Sequence, residues 1–151
     1  MIAFITFLRI THITTAVLWF AFGLGQPGDI KRSLAAGAAH VPPMIQRIEG
    51  QTRRILIVGV FTLASGFGLI VARGGFKGLP VRYHVGLALA IAIFVVGGAV
   101  VRPAWLGVKA AALKGDFDSA RAGAKRMAAG SGVIQLLWTI IIVLMVHPFE
   151  F

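Results

Sequence analysis

Four apolar stretches, residues 2–24, 55–72, 83–101 and 133–146, set the terms for any fold this chain can adopt. Each is close to the roughly 20 residues that a helix needs to cross a hydrocarbon core about 30 Å thick. With 58% hydrophobic and 13% charged residues and a mean hydropathy of +0.87, the 151-residue chain lies far outside the averages of soluble proteins. The segments between the stretches are too short to form a separate soluble domain. The expected architecture is all-α: one integral membrane domain, residues 1–151, built as a bundle of four transmembrane helices.

The first stretch reads as a membrane helix rather than a cleaved leader. No basic segment precedes it, Arg9 and His12 interrupt it, and the Gly/Pro-rich residues 23–28 offer no small-x-small cleavage site. The absence of cysteine excludes disulfides, iron–sulfur clusters, thiolate metal sites and thiol redox chemistry. A net charge of +10 raises the question of nucleic acid, but the basic residues sit between the spans. Anionic lipid, partner membrane subunits or further copies of the chain are the simpler partners, and nucleic acid is not expected.

The distribution of those charges orients the bundle. Arg9, Arg73, Lys77 and Arg82 fall on the side that holds the termini. Lys31, Arg32, Arg47, Arg53, Arg54, Arg102, Lys109, Lys114, Arg121, Lys125 and Arg126 fall on the other. The excess of positive charge places the two long loops in the cytoplasm and both termini outside. That is the arrangement expected in a bacterial inner membrane, with periplasmic termini.

The long loops carry helix signals. Asp29 is expected to cap a helix through "IKRSLAAGAA", which His40 and the following Val-Pro-Pro would stop. Pro43 suits the start of "MIQRIEGQTRR", which runs into the second span. Asp116 and Asp118 open "DFDSARAGAKRMAAG", with acids early and bases late, as the helix dipole favours. These segments are expected to extend the helices into the cytoplasm as solvated, interfacial faces.

Within this topology His12, His84 and His147 collect near the outer face, whereas His40 lies on the cytoplasmic side in a capping or solvated role. "THITTAVLWFAFGLG" and "YHVGLALAIAIFVVGG" resemble each other weakly, and two related hairpins would set His12 and His84 level and facing. Paired neutral imidazoles on two helices of a bundle are the usual way to hold a b-type haem. The plainer reading leaves each histidine solvated at the interface. Arg9 can reach the outer interface by snorkelling or pair with a haem propionate. Trp19, seven residues after His12 on the same face, either walls a porphyrin or packs; Trp105 and Trp138 suit interfacial anchors.

The small residues Gly59, Ser65, Gly66 and Gly68, and Gly86, Ala88, Ala90, Gly97 and Gly98, read mainly as helix-packing positions. Met145 and His147 form a Met-x-His pair with ligand chemistry for copper(I), though two ligands without cysteine make a poor site. Gln135 is expected to make an interhelical hydrogen bond. Asp29, Glu49, Asp116, Asp118 and Glu150 all lie outside the spans, so a proton pump or carboxylate-based ion transporter is not expected.

The pattern Leu8-x3-His12-x6-Trp19-Phe20-Ala21 resembles the first helix of the HemJ-type protoporphyrinogen oxidases and the related CopD-like four-helix membrane proteins. "TLASGFGLIVARGG" is similar to their second helix, "YHVGLALAI" to their Leu-His-Val-Lys-Leu motif and "VHPFEF" to their Lys-Pro-Phe ending. The resemblance implies haem ligation by His12, which matches the helix-1 histidine, and by His84, which matches the third-helix motif. It also implies a departure: the family's lysine two residues after that histidine is Gly86 here, and "GQPGDIKRSLAAG" replaces an arginine- and aromatic-rich loop. A chain that keeps this fold and loses the oxidase chemistry would serve as an accessory subunit of a respiratory or photosynthetic membrane complex. A haem-binding oxidoreductase or electron-transfer protein is the alternative, and a copper-handling membrane protein a distant third.

Overall fold

The computed structural model describes residues 2–146, and every element among them is helical. In order these are α1 (Ile2–Leu24), α2 (Gln26–Ala36), a 3₁₀ turn (Ala38–His40), α3 (Val41–Ala72), α4 (Val81–Val96), a π-helical segment (Gly97–Val101), α5 (Arg102–Leu113) and α6 (Phe117–Val146). They run nearly end to end as four rods, Ile2–Ala36, Ala38–Ala72, Val81–Leu113 and Phe117–Val146, each long and apolar enough to cross a membrane. At 1.5 Å per residue a rod of 30–35 residues is about 45–50 Å long, well beyond a hydrocarbon core of about 30 Å. Each rod therefore has an apolar part and a charged part. Aligned side by side, these parts make two tiers of one bundle.

The apolar tier is held by few buried groups. Trp19, Ile93, Trp138 and Ile141 form its centre, with Ala16, Phe20, Val58, Phe94 and Leu137 packed around them. Trp19 meets the Trp138 ring edge-on at 5.0 Å between centroids and tilts against Phe94 at 4.8 Å. Outward lie Phe4, Phe7, Ile57, Phe61, Val95 and Ile142, large apolar side chains exposed on the surface of a fold made for lipid contact. The most closely packed pairs are α1 with α3 and α4 with α6; the backbones of α3 and α4 stand further apart and meet where Phe94 reaches Gly59.

The charged tier is different from the expectation of solvated faces. The segments between the spans bury a second core of Ile30, Leu34, Val41, Met44, Ile48, Ala104, Trp105, Val108, Ala112, Ala120 and Met127. The most completely buried large side chains of the described residues, Ile30, Met44, Ile48, Met127 and Val108, all belong here. The cause is helical periodicity. Ile30 and Leu34, Met44 and Ile48, and Ala104, Val108 and Ala112 each recur at four residues, so each helix has one apolar stripe. Bases occupy the other faces.

The expected ends of α2 need two corrections. Asp29 is not the cap of α2, because Gly25 takes that place with Pro27 in the first turn, and Asp29 falls one turn inside. Its carboxylate accepts two hydrogen bonds from Arg47 of α3, from Nε at 3.0 Å and Nη2 at 2.9 Å. The guanidinium holds the Asp29 carboxyl below the usual carboxylate range. α2 stops at Ala36, ahead of the proline pair, because Gly37 adopts φ +97°, which favours glycine. His40 ends the 3₁₀ turn exposed, with no side-chain cap bond, and a proline follows in the first turn of α3. Asp116 caps α6 as expected, its Oδ1 accepting the Ser119 N–H at 3.0 Å. Lys109 and Glu49 join α5 to α3 at 2.6 Å.

Candidate functional site

His12 lies in the middle of α1, half-buried against α3. Its Nδ1 is 2.9 Å from the Thr62 carbonyl oxygen and 3.3 Å from Ser65 Oγ. A carbonyl can only accept, and the Ser65 hydroxyl points its own proton at the Phe61 carbonyl, 2.7 Å away. Nδ1 therefore carries the proton, and in the neutral ring Nε2 is left as an acceptor. The ring can come this close because residue 66 is glycine: a Cβ there would lie 2.9 Å from His12 Cε1. Thr15, one turn on, returns its hydroxyl to the Thr11 and His12 carbonyls and competes for none of this.

The other histidines have different surroundings. His84 sits exposed in the first turn of α4, its ring centroid 6.0 Å from that of Phe76 in the connecting turn. His12 is held level with Thr62 and Ser65, two turns inside the end of α3, and α1 meets α4 two turns further on, at Trp19 and Phe94. The structure gives the two rings separate neighbours. Arg9 is exposed on α1. Trp19 is buried at 5% exposure in the aromatic centre of the apolar tier. Met145 of α6 lays its terminal methyl over Gly86, the position that the resemblance aligns with a lysine. His147, and with it the Met-x-His pair, lies outside the described residues. Among the described residues no three of His, Cys, Asp and Glu gather to share a metal ion.

A haem, the group implied by the resemblance, fits His12 by its chemistry. A ring whose Nδ1–H is fixed by a carbonyl presents Nε2 in the form that ligates iron.

The feature that sequence reading missed is a cavity of about 570 Å³ where the two tiers meet. Trp19, Phe94 and Trp138 wall it on the apolar side, and Trp105 and Met127 on the charged side. The π-helical segment contributes Gly97 and Gly98, whose missing side chains leave open space. Exposed Arg53 and Leu56 from α3 and Arg102 and Leu106 from α5 form the rim. Gln135 lines it too, and its buried Oε1 has no partner, so the interhelical bond expected of this side chain is not made by that atom. The only sequence signals were the Gly97-Gly98 pair inside an apolar run and the arginines bordering two spans. No protein-family model, curated protein or solved structure matches the chain.

Proposed function

We propose that this chain is a non-catalytic accessory subunit of a larger bacterial-type membrane complex, respiratory or photosynthetic, on a HemJ/CopD-like fold. The observation that carries the reading is the engagement of His12 by α3. The chemistry-bearing side chain at the heart of the spans serves there as a clamp, bonded to the Thr62 carbonyl and seated on Gly66. Glycine at residue 86, where the resemblance gives a lysine, and the lack of any carboxylate in the spans point the same way. The seam between α3 and α4, where Phe94 reaches Gly59 but the backbones stand apart, offers a neighbouring subunit or a second copy a place to insert. In this reading the charged tier faces the cytoplasm and its anionic lipid surface, and both termini face the periplasm. Purification through a tag in a mild detergent, followed by native mass measurement, tests it. Integral membrane partners at constant stoichiometry are expected, and a free monomer alone would sink the proposal.

The tautomer of His12 favours one second reading, a b-haem-binding electron-transfer protein or oxidoreductase. His12 and His84 would hold the iron and Arg9 a propionate, while Trp19 would line the porphyrin. Bound haem would supply reversible one-electron chemistry. Protein from haem-replete cells then has a Soret band that His12→Ala removes; colourless protein rules this reading out.

A further inference from the structure

We propose that the cavity between the tiers is a binding site for one anionic phospholipid, drawn from the leaflet that borders the charged tier. The site goes beyond the accessory-subunit reading and does not depend on it.

Position is the first argument. Arg53 is followed by Arg54 and then by the apolar run 55–72; Arg102 directly follows the run 83–101. The two guanidinium groups therefore stand at the same boundary, on the two rods whose spans leave a seam, with the cavity between them. That boundary is where a phosphate headgroup meets its acyl chains.

Charge is the second. Among the described residues that line the cavity, the one acidic side chain, Glu49, is paired with Lys109 at 2.6 Å. Among the described residues neither Arg53 nor Arg102 forms an ion pair. The rim thus carries two uncompensated positive charges in reach of one pocket, which suits a phosphate. Below them the wall is aromatic, as an acyl chain requires, and the volume is that of a real ligand site.

The third argument is what the fold leaves unfinished. Gln135 Oε1 is buried in the wall with no donor from the chain, and a headgroup hydroxyl can supply one. The rod bends its hydrogen-bond register into a π segment at this level, a distortion frequent at functional sites. These features together select a phosphatidylglycerol-type lipid over a zwitterionic one.

All three tryptophans of the chain line the cavity, so quenching of its intrinsic fluorescence reports on entry into the site. The test uses the full chain in a neutral detergent, titrated with phosphatidylglycerol or phosphatidylcholine brominated in the acyl chains. Phosphatidylglycerol is expected to quench at roughly 10- to 30-fold lower concentration, the effect of two basic side chains near a phosphate. Arg53→Gln with Arg102→Gln, both exposed and outside either core, should abolish that preference and leave the helix content unchanged. Gly97→Leu, which fills open space, should reduce quenching by both lipids several-fold. Equal quenching by the two lipids in the wild-type protein overturns the proposal. A preference that survives the double arginine variant, or full quenching of Gly97→Leu, overturns it as well.

Discussion

The apolar tier and the charged tier are made from the same four rods, yet they are held together in different ways. In the charged tier, aliphatic side chains interlock at full burial, and the Arg47–Asp29 and Lys109–Glu49 pairs tie the rods across the surface. In the apolar tier the packed centre is four residues, two of them tryptophans, with Thr62, Ser65 and Ile70 buried along α3, and close approach is made at glycines: Gly59 beneath Trp19 and Phe94, and Gly66 beneath His12. Solvent explains the contrast. Water rewards the burial of every methylene, so helices beside it build a core. Lipid tails are as apolar as leucine, so helices within them gain only from shape and from polar contacts across the interface. The cavity lies where one regime gives way to the other, and neither packs it closed.

This comparison can be broken at several points. The largest effect is expected from Met44→Ala, which leaves a hole in the fully buried core of the charged tier. It should cost about 2–5 kcal/mol in detergent unfolding followed by circular dichroism. Ile91→Ala, at 51% exposure on the apolar surface, should change little in the same measurement. If both substitutions cost the same, the two-regime account fails.

Gly59→Ala comes next. Its Cβ would stand 2.9 Å from Phe94 Cζ and 3.1 Å from Trp19 Cε2, two rings that cannot swing away. A loss of about 1–3 kcal/mol is expected, with a shift in tryptophan emission that marks the displaced Trp19. Gly25→Ala meets nothing and should leave the emission unchanged.

His12→Ala removes the clamp between α1 and α3. The Thr62 carbonyl retains its place in the helix ladder, so the cost is that of one cross-helix hydrogen bond, about 0.5–1.5 kcal/mol. Hydrogen exchange read by mass spectrometry should quicken in α1 and the facing part of α3, and remain as in the wild type in α5. Faster exchange throughout would mean that the tiers do not open independently.

The smallest effect belongs to Asp29→Asn. The pair with Arg47 is partly exposed, so its loss at neutral pH should cost no more than about 1 kcal/mol. The sign with pH is fixed: folding lowers the carboxyl's pKa, so its contribution is present above the ordinary carboxylate range. It fades as pH falls through the depressed value of the folded state. Wild type and variant should therefore converge in stability in acid; divergence there would contradict the pairing.

Much of the architecture is legible in the residues. Four apolar runs dictate four helices, because a chain with no water beside it must close its amide hydrogen bonds within each segment. The helical extensions were marked by Pro42 and Pro43 and by Asp116. The stripes Ile30/Leu34 and Met44/Ile48 carried the second core in plain view, although the surrounding lysines and arginines made those segments read as solvated. What only the tertiary structure decided is azimuth and level. A hydropathy run does not say which way His12 points around its helix; the notch at Gly66 and the carbonyl of Thr62 do. Nor does it say that Arg53 and Arg102, far apart in the chain, border one cavity with three tryptophans, since that depends on which rods pack and which stand apart.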